Sequence, residues 1–205
     1  MKNLVQLPSE FDYNLLTGAL KDYKKPRDKI RSLVQNKDII RVKKGLYVLG
    51  REYGKPYNKY VLANLIYGPS YVTGQTALAF WNMIPERVEL FISMTTKKKK
   101  QFETPVGRFS YLCCPKRVFS IGVQLEETSD RKKFFIASPE KALCDIAATR
   151  THAETKEEIK EFLELMRLDF SFYENIDYAL LDEIKKEYRK RPVNSLIQYI
   201  RDRNV

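Results

Sequence analysis

The chain has 205 residues, of which 43% are hydrophobic, enough to bury the core of one large or two small domains. The formal net charge of +11 indicates a polyanionic partner, most often nucleic acid and less often an anionic membrane. Residues 1–50 carry 11 basic and 5 acidic side chains, residues 51–150 carry 16 and 9, and residues 151–205 carry 10 and 12. The positive charge therefore belongs to the first three quarters, and we expect the acidic C-terminal part to serve in packing or protein contacts.

The expected compartment follows from the cysteines and from the absence of apolar runs. Cys113, Cys114 and Cys144 show no spacing typical of a metal site or a disulfide framework, so we expect buried free thiols in a reducing compartment. The first residues lack the apolar core and cleavage site of a signal peptide. No apolar run approaches the ~20 residues of a membrane span. We expect a cytoplasmic protein with no membrane partner.

Residues 24–50, KKPRDKIRSLVQNKDIIRVKKGLYVLG, predict a short basic helix followed directly by a two-stranded hairpin. Pro26 suits the first helical turn, where its missing N–H costs nothing. Three apolar residues follow helical spacing and would face a core: Ile30, Leu33 and Val34. Alternating apolar and polar residues on both sides of a basic turn indicate the hairpin. This arrangement is typical of a winged-helix DNA reader.

The outer face of this helix and the hairpin carry side chains that can reach base edges and phosphates. The predicted DNA contacts are Lys25, Arg27, Lys29, Arg31, Ser32, Gln35, Arg41, Lys43 and Lys44. A charged outer face is usually only solvated, but a basic helix joined to a basic-tipped hairpin favours contact with DNA. A helix-turn-helix needs three helices, and only two fit before the hairpin: the basic helix and an earlier one with the apolar stripe Phe11, Leu15, Leu16, Ala19 and Leu20. Residues 59–67 or residues 1–8 are the two candidates for the missing packing partner.

Residues 51–58 contain Gly54 and Pro56 and predict a linker, which places domain boundaries at 1–52 and 58–205. The later residues predict helices at 59–67, 73–83, 140–150, 154–168, 178–189 and 193–203, and strands at 88–94, 107–114, 117–125 and 133–136. The expected fold class is α+β. It has an N-terminal winged-helix domain, then a mixed α/β domain with a small antiparallel sheet and C-terminal helices.

A lysine run, Lys97, Lys98, Lys99 and Lys100, falls within residues 95–105, which predict a hairpin loop. The run has two interpretations. It is either a solvated loop tip without function or a second set of phosphate contacts that extends the positive surface. The cluster of Arg131, Lys132 and Lys133 has the same two interpretations.

Patterns for catalysis are absent from the sequence. The only histidine, His152, lies among polar residues and is expected at the surface. There is no nucleophile elbow, no metal-binding spacing and no glycine-rich phosphate loop. Two E-x-K patterns resemble those of nucleases but fall in predicted helices: Glu158 with Lys160, and Glu183 with Lys185. We expect a protein that is not an enzyme, with no catalytic residue, no metal site and no cofactor.

Four segments, in their order and spacing, resemble the AbiEi-type antitoxins of bacterial abortive-infection (type IV) toxin–antitoxin systems. They are RDKIRSLVQNKDIIRVKKGLYVLG, LANLIYGPSYVTGQTALAFWNMIPE, TPVGRFSYL and IASPEKALCD. The similarity covers about residues 11–150, and its most specific parts are YGPSYVTGQTAL at 67–78 and ASPEKALCD at 137–145.

The resemblance implies a winged-helix domain that binds operator DNA and a C-terminal domain that counters a nucleotidyltransferase-like toxin, without requiring a stable complex between the two proteins. Residues matching the family's recognition helix are Arg27, Lys29, Arg31 and Gln35, and those matching its wing are Lys43, Lys44 and Gly45. Further motif positions, expected to serve in capping and helix-to-sheet packing, are Tyr71, Ser138, Pro139, Glu140, Lys141 and Asp145.

The leading hypothesis is an antitoxin and transcriptional autorepressor that binds double-stranded DNA at its own promoter. The main alternative is a stand-alone winged-helix regulator whose C-terminal domain binds a ligand or a protein. A nuclease and a pure protein-interaction module are the remaining alternatives.

Overall fold

A computed structural model describes residues 2–86, 88–150, 155–169 and 175–203. The N-terminal part consists of α1 (Lys2–Val5), β1 (Glu10–Asp12), α2 (Tyr13–Ala19), α3 (Pro26–Gln35), β2 (Ile39–Lys43) and β3 (Leu46–Leu49). Asp12 begins α2, because its side chain accepts a hydrogen bond from the Leu15 N–H at 2.8 Å. Pro26 occupies the first turn of α3, as the sequence predicts.

The hairpin pairs with the first strand in a three-stranded antiparallel sheet of order β1-β3-β2. Gly45 turns the hairpin with a φ of +84°, a conformation that glycine adopts without strain. Gly50 ends the hairpin where the backbone of the α3–β2 turn passes close to it. Its N–H donates to the Asp38 carbonyl at 2.8 Å.

Strand β3 lies between two hydrophobic cores and buries residues on both of its faces. Tyr47 and Leu49 pack into the N-terminal core, whereas Leu46 and Val48 pack into the core of the second part. This alternation is what the two-residue period of a strand dictates when both faces are covered. The N-terminal part is therefore joined to the rest of the chain through the hairpin.

The additional helix that packs with α2 and α3 is α1, which comes from residues 1–8. This segment is one of the two candidates expected from the sequence. Leu4 of α1 and Leu7 directly after it are buried in the N-terminal core, together with Leu33 of α3. The other candidate segment forms a helix in the second core instead.

The second part contains α4 (Lys59–Ile66), β4 (Ser70–Val72), α5 (Gly74–Phe80), β5 (Leu90–Thr95), β6 (Lys100–Thr104), β7 (Gly107–Cys113), β8 (Val123–Glu127), β9 (Lys133–Ala137), α6 (Pro139–Arg150), α7 (Lys156–Leu165), α8 (Tyr178–Tyr188) and α9 (Arg191–Arg203). Short 3₁₀ turns cover Arg51–Tyr53 and Lys116–Val118. The α+β class is confirmed. Helix α9 packs against α6, α7 and α8.

The sheet of the second part is larger and more mixed than the small antiparallel sheet expected from the sequence. Six strands lie in the order β6-β7-β5-β4-β9-β8, with parallel pairing between β4 and β9 and between β5 and β7. The expectation was wrong because alternation along a strand shows which face is buried but not which distant strand lies beside it.

Two local predictions were also wrong. The predicted loop at 95–105 contains β6, an edge strand that pairs antiparallel with β7. Its residues are exposed or half-buried, so it lacks the apolar run that marks a buried strand. The predicted strand at 117–125 begins only at Val123, because Lys116–Val118 forms a 3₁₀ turn.

Several contacts connect the N-terminal part to the second part near the predicted linker. The carboxylate of Glu10 accepts from the Asn58 N–H at 2.5 Å and pairs with Lys132 Nζ at 2.6 Å. Lys55 Nζ donates to the Leu7 carbonyl at 3.1 Å. In the residues described, no helix combines the length and apolar character that crossing a membrane requires.

Candidate nucleic-acid interface

Helix α3 presents an exposed polar face opposite the residues that anchor it. Ile30 and Leu33 are buried in the N-terminal core. Arg27, Arg31 and Gln35 are spaced four residues apart, and all three are exposed. Side chains four apart on a helix lie on one face, so two guanidinium groups and one amide point outward together.

The basic residues of this face are not neutralised. Among residues 2–86, 88–150, 155–169 and 175–203, no carboxylate lies at ion-pair distance from Arg27 or Arg31. Two basic residues of the C-terminal helices differ, since Arg201 pairs with Asp182 at 2.7 Å and Lys156 pairs with Asp202 at 3.1 Å. The outer face of α3 therefore carries positive charge that no described carboxylate offsets at ion-pair distance.

The remaining predicted residues of α3 differ in exposure. Lys25 is exposed at the helix start, and Ser32 is half-buried. Lys29 is also half-buried, and its Nζ lies 5.5 Å from the ring centroid of Tyr23. This distance is within the range of a cation–π contact, so Lys29 is held against a ring rather than extended.

The basic residues of the hairpin differ in their exposure to solvent. Arg41 and Lys44 are exposed. Lys43 is half-buried, because a bulge between Arg41 and Lys43 interrupts the strand register and its Nζ donates to the Ile66 carbonyl. Burial lowers the pKa of Lys43, and the nearby charges of Lys100 and Lys97 lower it further.

The structure thus brings the hairpin next to the lysine run, although the two are more than fifty residues apart in sequence. Lys97, Lys98 and Lys99 lie in the exposed loop between β5 and β6, and Lys100 is the first residue of β6. The cluster at 131–133 is arranged differently, because Lys132 pairs with Glu10 and with Asp130 at 2.6 Å each. Lys132 therefore connects the two parts of the chain through its ion pair with Glu10.

A second cluster of polar residues lies inside the second part, around the carboxylate of Asp145. Its Oδ1 accepts from Lys141 Nζ at 2.8 Å and from the Tyr188 O–H at 2.6 Å. Its Oδ2 accepts from the Tyr71 O–H at 2.9 Å and from Thr73 Oγ1 at 2.6 Å. We call these five residues the Asp145 centre.

The Asp145 centre is closed to solvent. The side chains of Lys141 and Asp145 are 0% and 1% exposed. Lys141 Nζ also lies 4.7 Å from the centroid of the Tyr188 ring and 5.5 Å from that of Tyr71. Four donors saturate the carboxylate, and two rings cover the ammonium, so this buried pair is satisfied. The arrangement positions β4, α6 and α8 relative to one another.

Ser138 begins α6 in the way expected from its motif position. Its Oγ accepts from the Lys141 N–H at 3.2 Å and donates to the Glu140 carboxylate at 2.8 Å. The other oxygen of Glu140 accepts from the Asp177 N–H at 3.3 Å. Three members of the Asp145 centre, Tyr71, Lys141 and Asp145, were expected at motif positions. The participation of Thr73 and Tyr188 was missed, because neither residue differs in pattern from ordinary capping and core residues.

A cavity of about 350 Å³ opens beside Tyr71. Its wall is formed mainly by apolar and aromatic side chains, including Phe119, Val123 and Phe135. Phe119 packs on the Tyr71 ring with centroids 5.3 Å apart. The cavity has the size and lining of a site for a small apolar molecule.

The cysteines, the two E-x-K pairs and His152 were expected to have no catalytic role. Cys114 and Cys144 are buried free thiols, as predicted, but Cys113 at the end of β7 is exposed. That expectation was wrong for Cys113 because alternate residues of a strand face opposite sides of the sheet. The E-x-K pairs lie in α7 and α8, as predicted. His152 lies outside the residues described.

In the described ranges, no group of three or more His, Cys, Asp or Glu side chains is placed to hold a metal ion. No protein-family model matches the chain, and a comparison with curated proteins finds no match. The AbiEi resemblance therefore stays a prediction.

Proposed function

We propose that this protein is a DNA-binding transcriptional regulator that reads its own promoter with α3 and contacts the flanking backbone with the β2–β3 hairpin. The observation that carries this proposal is the exposed face of α3, where Arg27, Arg31 and Gln35 lie together without a carboxylate partner among the described residues. Arginine and glutamine are the side chains that bind guanine and adenine edges in the major groove. An exposed face of this composition is suited to direct readout of bases.

The order of elements supports a winged-helix assignment. A short helix, a strand, two helices and a hairpin follow one another, and the first strand pairs with the hairpin. In this fold the last of the three helices is the recognition helix and the hairpin is the wing. Ile30 and Leu33 anchor α3 by its inner face, which leaves the outer face free to enter a groove.

We further propose that the regulator is the antitoxin of a toxin–antitoxin pair and represses its own operon. Support for this part comes from the AbiEi resemblance, whose two most specific segments supply Tyr71, Thr73, Lys141 and Asp145 to the Asp145 centre. In this proposal the second part counters a nucleotidyltransferase-like toxin, and the regulator itself is not an enzyme and needs no cofactor.

The first test is binding of the purified protein to a labelled duplex from its own promoter, with a shuffled duplex of equal length as the control. We expect the promoter to bind at least ten-fold more tightly at 0.15 M salt, and log K to fall linearly with log salt concentration. Equal affinity for both duplexes contradicts the regulator proposal.

The second test concerns the toxin. The chain is co-expressed with any nucleotidyltransferase-like gene that its gene neighbourhood contains, and growth is compared with that of cells expressing that gene alone. Rescue of growth is expected, and its absence contradicts the antitoxin role while leaving DNA binding intact.

A stand-alone regulator with a ligand-binding second part is the alternative that a specific observation favours. The cavity beside Tyr71 is large enough for a small apolar ligand and lies in the core that also packs against the hairpin. A gene neighbourhood without a nucleotidyltransferase, together with a ligand that shifts promoter affinity, favours this alternative over the antitoxin.

A further inference from the structure

Three lysines, one from the hairpin and two from the loop and strand start at residues 97–100, lie near the C-terminal end of α4. Lys43 Nζ, from the hairpin, donates to the Ile66 carbonyl. Lys97 Nζ, from the β5–β6 loop, donates to the Gly68 carbonyl. Lys100 lies close enough to Lys43 to lower its pKa by charge repulsion. We call Lys43, Lys97 and Lys100 the lysine junction.

The Tyr67 ring, which lies between Ile66 and Gly68 in the chain, contacts two lysines of the lysine junction. Lys97 Nζ and Lys100 Nζ lie 5.3 and 5.8 Å from the centroid of the Tyr67 ring. Lys100 Nζ also lies 4.9 Å from the centroid of Phe102. These distances are within cation–π range, so the Lys97 and Lys100 ammonium groups lie against aromatic rings at the surface.

The charge of the lysine junction is not balanced by the protein. Across the four described ranges, no carboxylate lies at ion-pair distance from Lys43, Lys97 or Lys100. Like charges held together raise the free energy of the folded state, and a bound anion removes that cost. Lys132 shows the contrast, because two carboxylates neutralise it at 2.6 Å.

We propose that the lysine junction binds one phosphate of the DNA backbone, so that a single phosphate is held by both the hairpin and the second part of the chain. This inference rests on the proposed function. It adds a specific binding site on the protein and identifies its ligand as one phosphate group of the DNA backbone. The exposed neighbours Lys44, Lys98 and Lys99 surround the site with further positive charge. Lysine ammonium groups suit this task because they act as compact positive charges toward phosphate oxygens.

The shared phosphate has a mechanical consequence. The two parts of the chain are already joined through β3, and a phosphate held at their junction fastens both parts to the same duplex. The DNA contact then extends past the hairpin tip to residues that a free-standing winged helix lacks. The second part thereby contributes directly to affinity.

The test is a triple variant, Lys43→Gln, Lys97→Gln and Lys100→Gln, which removes the three positive charges and keeps a polar side chain with N–H donors at each position. The slope of log K against log salt concentration is negative, and each lost phosphate contact reduces its magnitude by about 0.9. One shared phosphate therefore predicts a loss of about 0.9 in the slope for the triple variant, against roughly 2.7 for three separate contacts. The single and double variants are expected to be non-additive, because the first substitution already weakens the same contact.

A matched control removes three other exposed lysines: Lys116→Gln, Lys185→Gln and Lys186→Gln, at the Lys116–Val118 turn and on α8. The net charge changes equally, so an unchanged slope in the control assigns the effect to position rather than to overall charge. Thermal unfolding verifies that both variants fold. If the triple variant does not fold, Lys97→Gln and Lys100→Gln are measured singly and together, since one shared phosphate predicts a combined loss of about 0.9 and two separate contacts predict about 1.8.

Both variants are measured on the promoter duplex and on a shuffled duplex, because backbone contacts do not depend on sequence. A loss of slope on both duplexes, without promoter preference in the wild type, overturns the regulator proposal and supports the lysine junction. Promoter preference with an unchanged slope in the triple variant overturns the lysine junction alone. The lysine junction is also overturned if the slope magnitude falls by about 2.7 in the triple variant or falls equally in the control. Failure of the wild type to bind either duplex overturns both proposals.

Discussion

The phenol of Tyr188 donates to Oδ1 of Asp145 across 2.6 Å and so connects α8 to α6 through a buried carboxylate. The two residues are 43 positions apart. The same oxygen accepts from Lys141, and the other carboxylate oxygen accepts from Tyr71 and Thr73. One side chain therefore connects strand β4 with helices α6 and α8. Because these groups are closed to water, each of them depends on the others for its hydrogen bonds.

Removing the charge of Asp145 is expected to destabilise the protein strongly. Asp145→Asn leaves the Lys141 ammonium buried without a counter-charge, which costs about 3 kcal/mol or more of the free energy of unfolding. Urea denaturation followed by circular dichroism measures the change. The control is Asp182→Asn, which breaks the exposed pair with Arg201 and is expected to cost about 1 kcal/mol or less. Equal losses in the two variants contradict the role given to the Asp145 centre.

Glycine is required at position 50 because the turn after α3 passes directly over it. A Cβ there would lie 2.2 Å from the Lys37 carbonyl oxygen and 2.9 Å from that of Asp38. We expect Gly50→Ala to lower the free energy of unfolding by about 1–3 kcal/mol. Gly18→Ala is the control, since a Cβ at that helical position meets nothing within 4 Å and is expected to stabilise by about 0.5–1 kcal/mol. A Gly50→Ala variant with an unchanged free energy of unfolding contradicts the close approach of the turn.

The three thiols are expected to differ in reactivity. Cys113 is exposed, whereas Cys114 and Cys144 are buried, and burial raises the pKa of both buried thiols. Since the thiolate is the reactive form, a disulfide reagent at pH 8 should modify one thiol of the native protein quickly and all three in urea. Cys113→Ser should abolish the fast phase. A fast phase of two or three thiols in the native protein contradicts the placement of β7 and α6.

Sequence preference is expected to depend on the outer face of α3. Arg31→Ala with Gln35→Ala should reduce the difference in binding free energy between the promoter and shuffled duplexes by about 1–3 kcal/mol per lost base contact, measured by fluorescence anisotropy. The control is Arg41→Ala with Lys44→Ala, which should weaken binding to both duplexes alike, since backbone contacts carry no direct sequence information. A promoter preference that survives in the α3 variant contradicts its assignment as the recognition helix.

The sequence by itself was sufficient for elements with strong local signals. Pro26 and the helical spacing of Ile30 and Leu33 predict α3, and the Ser138-Pro139 start predicts α6. The basic turn between two short strands predicts the hairpin. These features depend on residues within one or two turns of the chain, so they are readable from a single segment.

Only the tertiary structure decided which distant segments meet. The parallel pairing of β4 with β9, the approach of Lys43 to Lys97, and the contact of Tyr188 with Asp145 leave no local pattern. Strand β6 was missed for the same reason, because its partner β7 and not its own composition makes it a strand. Long-range contacts are set by the packing of whole faces against one another, and periodicity specifies a face without specifying its partner.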